Sequence, residues 1–223
     1  MTSPIVIFDL DGTLVNSAPD LLDSLNFALQ KEGFKTFQPD DIKRLVGMGG
    51  RVMIERALTL QDIKPEEEII NKILSTFLEN YEQEMPGKTM FFNGVLESLN
   101  SLRENGFNLA VCTNKYENLA KHLLEQLNAT SYFSAICGGD SFAWRKPDGR
   151  AILSTIEKAG GNPEQALMVG DSRADIEAAH NIDIPVVAVN FGYTDQPVAV
   201  FKPTKIISHF DELTVTLVKE LIY

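Results

Sequence analysis

Seven polar residues of this 223-residue chain follow closely on short apolar runs, where side chains could do chemistry together. Asp9 and Asp11 follow Pro4-Ile5-Val6-Ile7-Phe8. Thr113 and Asn114 follow Phe107-Asn108-Leu109-Ala110-Val111-Cys112. Asp171 and Asp175 follow Ala166-Leu167-Met168-Val169, and Lys146 lies on the loop after Ala135-Ile136-Cys137. Ligands of open α/β sheets bind beyond the carboxyl ends of the strands, so parallel strands would bring all seven to one edge. Carboxylates gathered in one cleft repel unless a cation sits among them. Oxygen ligands of this kind suit Mg²⁺, which takes one or two carboxylates together with substrate phosphate. Metal and Lys146 together would make a local anion site on an otherwise acidic protein.

The elements that must position these groups can be read from hydrophobic pattern. The apolar runs show no alternation, as expected of parallel strands covered on both faces. Pro185-Val186-Val187-Ala188-Val189 reads as a fifth strand and Lys205-Ile206-Ile207 as a sixth. Helical spacing recurs between them: Leu96, Leu99 and Leu102; Leu119, Leu123, Leu124 and Leu127; Ile152 and Ile156; Ala174 to His180; and Leu213, Leu217 and Leu221 at the end. This alternation predicts an α/β fold, a doubly wound parallel sheet of Rossmann-like type. One stretch breaks it. From Asn16 to about Met85 helical patterns dominate (Leu21, Leu22, Leu25, Leu29; Val52, Ile54, Leu58; Glu66 to Tyr81), punctuated by Pro39, Gly47, Gly49, Gly50 and Pro65. The expected division is an α/β core of residues 1–15 and 86–223, with a small helical domain of residues 16–85 inserted after the first strand.

Taken in order, these segments resemble the motifs of the haloacid dehalogenase superfamily. Asp9-Leu10-Asp11-Gly12-Thr13-Leu14-Val15 is similar to its first motif and Thr113-Asn114-Lys115 to its second. Lys146-Pro147 is similar to its third, and Gly170-Asp171-Ser172-Arg173-Ala174-Asp175 to its fourth. The helical insertion resembles the family's cap. The resemblance implies that Asp9 is a nucleophile forming an aspartyl-phosphate and that Asp11 is the general acid and then the general base. It implies that Gly12 shapes the turn, with Gly12 and Thr13 close to the substrate, and that Thr113 and Asn114 bind phosphoryl oxygens. Lys146 would neutralise charge as a point cation. Asp9, Asp11 (through its backbone carbonyl), Asp171 and Asp175 would form the Mg²⁺ site. An acid at position 11 is absent from the superfamily's dehalogenases and phosphonate hydrolases, so it points to phosphate esters. Val46 to Leu58 resembles the cap segment of the phosphoglycolate phosphatases, and Asn190-Phe191-Gly192-Tyr193 their turn after the fifth strand. The expected substrate is therefore 2-phosphoglycolate. Gly49 and Gly50 would expose backbone N–H groups to an anion, and Arg51 would read the carboxylate. A phosphomutase or pyrophosphatase of the same superfamily shares these motifs. A phospho-accepting signalling module shares the acidic pair, Thr, Lys and Mg²⁺ but lacks the insertion, and a non-catalytic binder would not need the full set.

Composition excludes other classes. With 20 Lys plus Arg against 31 Asp plus Glu, the net charge is −11, which argues against nucleic acid or an anionic membrane surface as partner. No run approaches a membrane span, and Met1 to Ile7 lacks the pattern of a signal peptide. Two cysteines in apolar surroundings, Cys112 and Cys137, read as buried thiols of a cytoplasmic protein. A monomer and a homodimer are both compatible with the sequence. Each site residue has a plainer alternative. Asp11-Gly12 could be a turn, Asp171 and Asp175 helix-capping charges, Lys146 a surface lysine and Arg51 a surface ion-pair residue. His122, His180 and His209 read as structural.

Overall fold

The computed structural model describes residues 3–64 and 66–223, so Met1, Thr2 and Pro65 lie outside the described residues. Its centre is a six-stranded, all-parallel sheet. The strands are β1 (Ser3–Phe8), β4 (Asn108–Cys112), β5 (Ala135–Cys137), β6 (Gly161–Gly170), β7 (Val186–Val189) and β8 (Lys205–Ile207), in the order β5-β4-β1-β6-β7-β8. Strand order runs one way from β1 through β4 to β5 and the other way from β6 to β8. The reversal leaves a crevice beyond the carboxyl end of β1, where such folds place their ligands.

Both faces of the sheet are covered. Val6 and Phe8 pack into one apolar cluster and Ile5 and Ile7 into the other, all with no exposed surface. Two buried faces leave no polar face to alternate with, which is why the strands read as continuous apolar runs. Helices α5 (Val95–Glu104), α6 (Glu117–Gln126), α7 (Arg150–Ala159), α8 (Arg173–His180) and α9 (Val215–Ile222) connect the strands or close the chain. Leu213, expected on the terminal helix, precedes it and is buried in the turn; within α9 the buried residue is Val218. β6 begins at Gly161, which pairs with Ser3 ahead of a register shift. The Asn162-Pro163 pair there has turn chemistry, so pattern alone starts the strand later.

Between β2 (Val15–Asn16) and β3 (Met90–Phe91) the chain forms α1 (Ala18–Lys31), α2 (Ile42–Leu45), α3 (Gly50–Thr59) and α4 (Glu67–Glu84). Leu25 and Leu29 of α1 and Ile73, Phe77 and Tyr81 of α4 belong to the same apolar cluster as the Val6 face of the sheet. The outgoing and returning segments pair as a two-stranded antiparallel ribbon, Val15 opposite Phe91 and Asn16 opposite Met90. Strands of two residues are too short to show a period, so the ribbon has no signature in the sequence.

A buried carboxylate ties the return to the start of α1. Asp20 accepts hydrogen bonds from the backbone N–H of Lys88 (2.8 Å) and Thr89 (2.8 Å) and from the Thr89 hydroxyl. A Cβ on Gly87 would lie 2.6 Å from Asp20 Oδ1, so only glycine lets the carboxylate this close. Asp20→Ala leaves three donors without their acceptor and should cost roughly 3 kcal/mol in urea denaturation. A loss below about 0.5 kcal/mol would show that water replaces the carboxylate freely.

Candidate active site

Asp9 is the first residue after β1, its N–H donating to Val169 O of the neighbouring strand at 2.9 Å. Asp171 follows β6 directly, and Asp175 lies on the first turn of α8. One oxygen from each of Asp9, Asp171 and Asp175 falls within 4.8 Å of the others, and all three residues are buried. Lys146 Nζ, itself 2% exposed, donates to Asp9 Oδ1 at 2.7 Å and to Asp175 Oδ1 at 2.6 Å. Asp9 Oδ2 accepts no hydrogen bond among the described residues.

The cluster is packed around glycines. Gly12, with φ +85°, turns the chain after Leu10, its N–H donating to Val15 O at 2.9 Å. A Cβ there would meet Asp171 Oδ2 at 2.4 Å, and one on Gly170 would meet the Asp175 side chain at 2.3 Å. Thr13 donates its hydroxyl to Asp171 Oδ1 (3.3 Å), and the Tyr193 N–H donates to Asp171 Oδ2. Asp175 does two jobs. Its Oδ2 accepts from the backbone N–H and hydroxyl of Ser172 at the start of α8, while its Oδ1 faces Lys146. The helix-capping reading and the site reading of Asp175 are thus both satisfied.

Three buried carboxylates stand beside one ammonium, and their crowding shows in the acidities of Asp9 and Asp171. Burial pushes the Asp9 carboxyl up to about 6; Lys146 pulls it back and the charge of Asp175 pushes it further up. Asp171 is raised as well, by burial first and then by Asp9 and Asp175. Burial alone would lower Lys146, but Asp175 and Asp9 more than reverse this and hold it above the usual lysine range. Uncompensated hard oxygens in a buried cluster are the donor set of a divalent cation such as Mg²⁺.

Asp11 stands apart from the three. Its carboxylate accepts from Ser17 Oγ (2.6 Å) and from Lys115 Nζ (3.0 and 3.1 Å), so its side chain faces Lys115 rather than the triad. Lys115 is buried and also donates to the Tyr81 hydroxyl of α4 at 2.8 Å. Burial would lower Lys115, but Asp11 and Tyr81 together raise it, so it carries a fixed charge. Burial pushes the Tyr81 phenol up to about 12, Lys115 opposing. Asp9, Asp11, Thr113, Asn114, Lys115 and Lys146 line one pocket together, roofed by Gly49, Gly50 and Arg51 at the start of α3. Thr113 is buried, its hydroxyl accepting from Lys115 N–H (3.2 Å). Asn114 Nδ2 donates to Lys146 O (3.0 Å), while its buried Oδ1 has no partner among the described residues.

Not every expected site residue turns to the pocket. Gly12 and Thr13 lie beneath it, against Asp171. Arg51 lines the pocket, but its guanidinium bonds Glu55 (3.0 Å), Glu67 and Asn71 (3.2 Å), all within the helical insertion. The sequence reading assigned no role to Lys115, Tyr81, Ser17 or Tyr193. Lys115 belongs to the Thr113-Asn114-Lys115 segment, and a lysine just after an apolar strand is the signal the sequence carries for it. Tyr81 carried none, because a tyrosine on the apolar face of a helix reads as core.

A sequence model described as haloacid dehalogenase-like hydrolase matches residues 6–189. The chain belongs to the haloacid dehalogenase-like hydrolases. This hydrolase is 49% identical over 222 residues to a phosphoglycolate phosphatase of Mesorhizobium japonicum, covering 100% of this chain and 98% of that protein. It is 48% identical over 220 residues to a phosphoglycolate phosphatase of Agrobacterium fabrum, covering 99% and 94%. The crystal structure of a predicted phosphoglycolate phosphatase from Haemophilus somnus superposes with a TM-score of 0.88 at 31% identity, covering 96% of this chain and 97% of that one. Among the described residues no helix of this hydrolase is long and apolar enough to cross a membrane. Cys112 and Cys137 are unbridged and buried, and burial pushes the Cys112 thiol up to about 11, which keeps it from reacting as a thiolate.

Proposed function

We propose that this hydrolase cleaves a small phosphate monoester, 2-phosphoglycolate, to glycolate and inorganic phosphate. The observation that carries the reading is the buried Asp9–Lys146–Asp175 chain, with Asp171 beside it and Asp11 in the same pocket. The substrate assignment is supported by full-length likeness to phosphatases of that name.

Asp9, Asp171 and Asp175, with the backbone carbonyl of Asp11, would hold Mg²⁺. Bound there, the ion would screen the phosphoryl oxygens from the Asp9 carboxylate. Asp9 Oδ2, free of hydrogen bonds, attacks phosphorus while Lys146 holds Oδ1. The bond from phosphorus to the glycolate oxygen breaks as the new bond to Asp9 forms, and Asp11 delivers a proton to the departing oxygen. Asp11 then takes a proton from water as that water attacks the aspartyl-phosphate. The phosphorus–Asp9 bond breaks and inorganic phosphate leaves. Thr113 and the backbone at Asn114 bind phosphoryl oxygens. Residues 16–85 act as a cap that closes over the leaving group, moving on the ribbon of β2 and β3.

The test is phosphate release from a panel of small phosphate esters and pyrophosphate, with Mg²⁺ and with a chelator. Phosphoglycolate should lead the panel, and the chelator should remove at least 99% of the rate in the manner of metal-assisted phosphoryl transfer. A higher rate on pyrophosphate, or turnover only with a sugar bisphosphate activator, would replace this reading by a pyrophosphatase or a mutase.

A further inference from the structure

Four cationic side chains line the pocket: Arg51, Lys115, Arg145 and Lys146. Three are already engaged. Lys146 is bonded to Asp9 and Asp175, Lys115 to Asp11 and Tyr81, and Arg51 to Glu55 and Glu67. The Arg145 guanidinium forms no ion pair or hydrogen bond with any described residue. It is exposed, and it stands where the helical insertion meets the core. A Cβ on Gly49 would lie 4.0 Å from Arg145 Nη1 and 3.1 Å from Asn114 O. Arg145 also immediately precedes Lys146, the cation that reaches the reacting carboxylate from the same loop.

A substrate with a phosphate at one end and a carboxylate at the other needs a second positive group beyond those committed to the first. Resting on the reading above, we infer that Arg145 is the specificity residue that binds the substrate carboxylate, in place of Arg51. Its planar fork matches a carboxylate in a bidentate pair, and no protein acid among the described residues competes for it. Freeing Arg51 would break its bonds to two glutamates; Arg145 needs no such exchange. Gly49, bare of a side chain on the side that faces Asn114 O and Arg145 Nη1, leaves the guanidinium and a small acid room in the pocket.

The experiment compares kcat/KM on phosphoglycolate with that on 2-hydroxyethyl phosphate, which has an alcohol in place of the carboxylate. Arg145→Ala should lower the value for phosphoglycolate about tenfold to a hundredfold more than the value for the neutral ester, chiefly through KM. Arg145→Lys, which keeps the charge without the fork, should fall between Arg145→Ala and the wild type. Equal losses on both esters in Arg145→Ala, or a carboxylate-selective loss in Arg51→Ala instead, would overturn the assignment. A wild-type chain that does not prefer phosphoglycolate to the neutral ester sinks the proposed substrate and this inference together. A wild-type preference that Arg145→Ala leaves unchanged sinks this inference alone.

Discussion

Asp9→Asn should abolish turnover while leaving the fold at least as stable. The amide keeps the shape of the carboxylate but cannot take up phosphorus, and loss of a nucleophile of this type costs at least about 10⁴-fold in kcat. Stability should move the other way. In the metal-free protein at pH 8 the Asp9 carboxylate is held ionised in a site that pushes its pKa from 3.8 to about 6. That rise corresponds to roughly 3 kcal/mol by which the charge disfavours the folded state above pH 6. A neutral amide removes that term and leaves Lys146 its bond to Asp175. Phosphate release and chemical denaturation of one preparation test both halves. Activity within tenfold of the wild type would refute the assigned nucleophile. A variant several kcal/mol less stable would mean that the Lys146–Asp9 pair outweighs the repulsion among the acids.

Lys146→Met should be the most damaging single change to the site's stability. Lys146 is buried and is the ammonium bonded to both Asp9 and Asp175. Taking one partner from a buried ion pair leaves uncompensated charge and costs about 3–5 kcal/mol. The sign of the pH dependence follows from Asp9. Its folded-state pKa is raised, so its stabilising proton is fully present below the unfolded value of 3.8 and is lost as pH rises through about 6. Without Lys146 the Asp9 carboxyl shifts higher still, so the deficit of the variant should be larger at pH 8 than at pH 5. Denaturation at the two pH values measures it. A deficit independent of pH would show that Lys146 acts by packing its aliphatic stem and not by charge.

The core of the fold was open to reading because its signals are local. Each of the six parallel strands carries a short apolar run, and in β1 the reason is that Val6 and Phe8 face one cluster while Ile5 and Ile7 face the other. The polar residues after the strands were legible in the same way, since Asp9, Asp171 and Lys146 lie on turns or loops that a parallel sheet gathers at one edge. The ribbon of β2 and β3 was hidden because two residues have no period. The clamp from Asp20 to Lys88 and Thr89 was hidden because it joins residues nearly seventy positions apart through an aspartate that reads as an ordinary first-turn helix charge. Arg51 was drawn to the substrate by its place after a glycine turn, whereas Glu67, on a different helix, holds it.

The sequence by itself determined the chemistry available to this protein: which residues are acids, bases and cations, and which strand each one follows. Those features depend on residue type and on short-range pattern, which the chain carries locally. Tertiary structure alone decided how the charges pair. It grouped Asp9, Asp171 and Asp175 around Lys146, turned Asp11 to Lys115 and Tyr81, spent Arg51 on its neighbours and left Arg145 open to the pocket. Coulomb energies depend on distance and burial between groups far apart in the chain, and only the folded arrangement sets either.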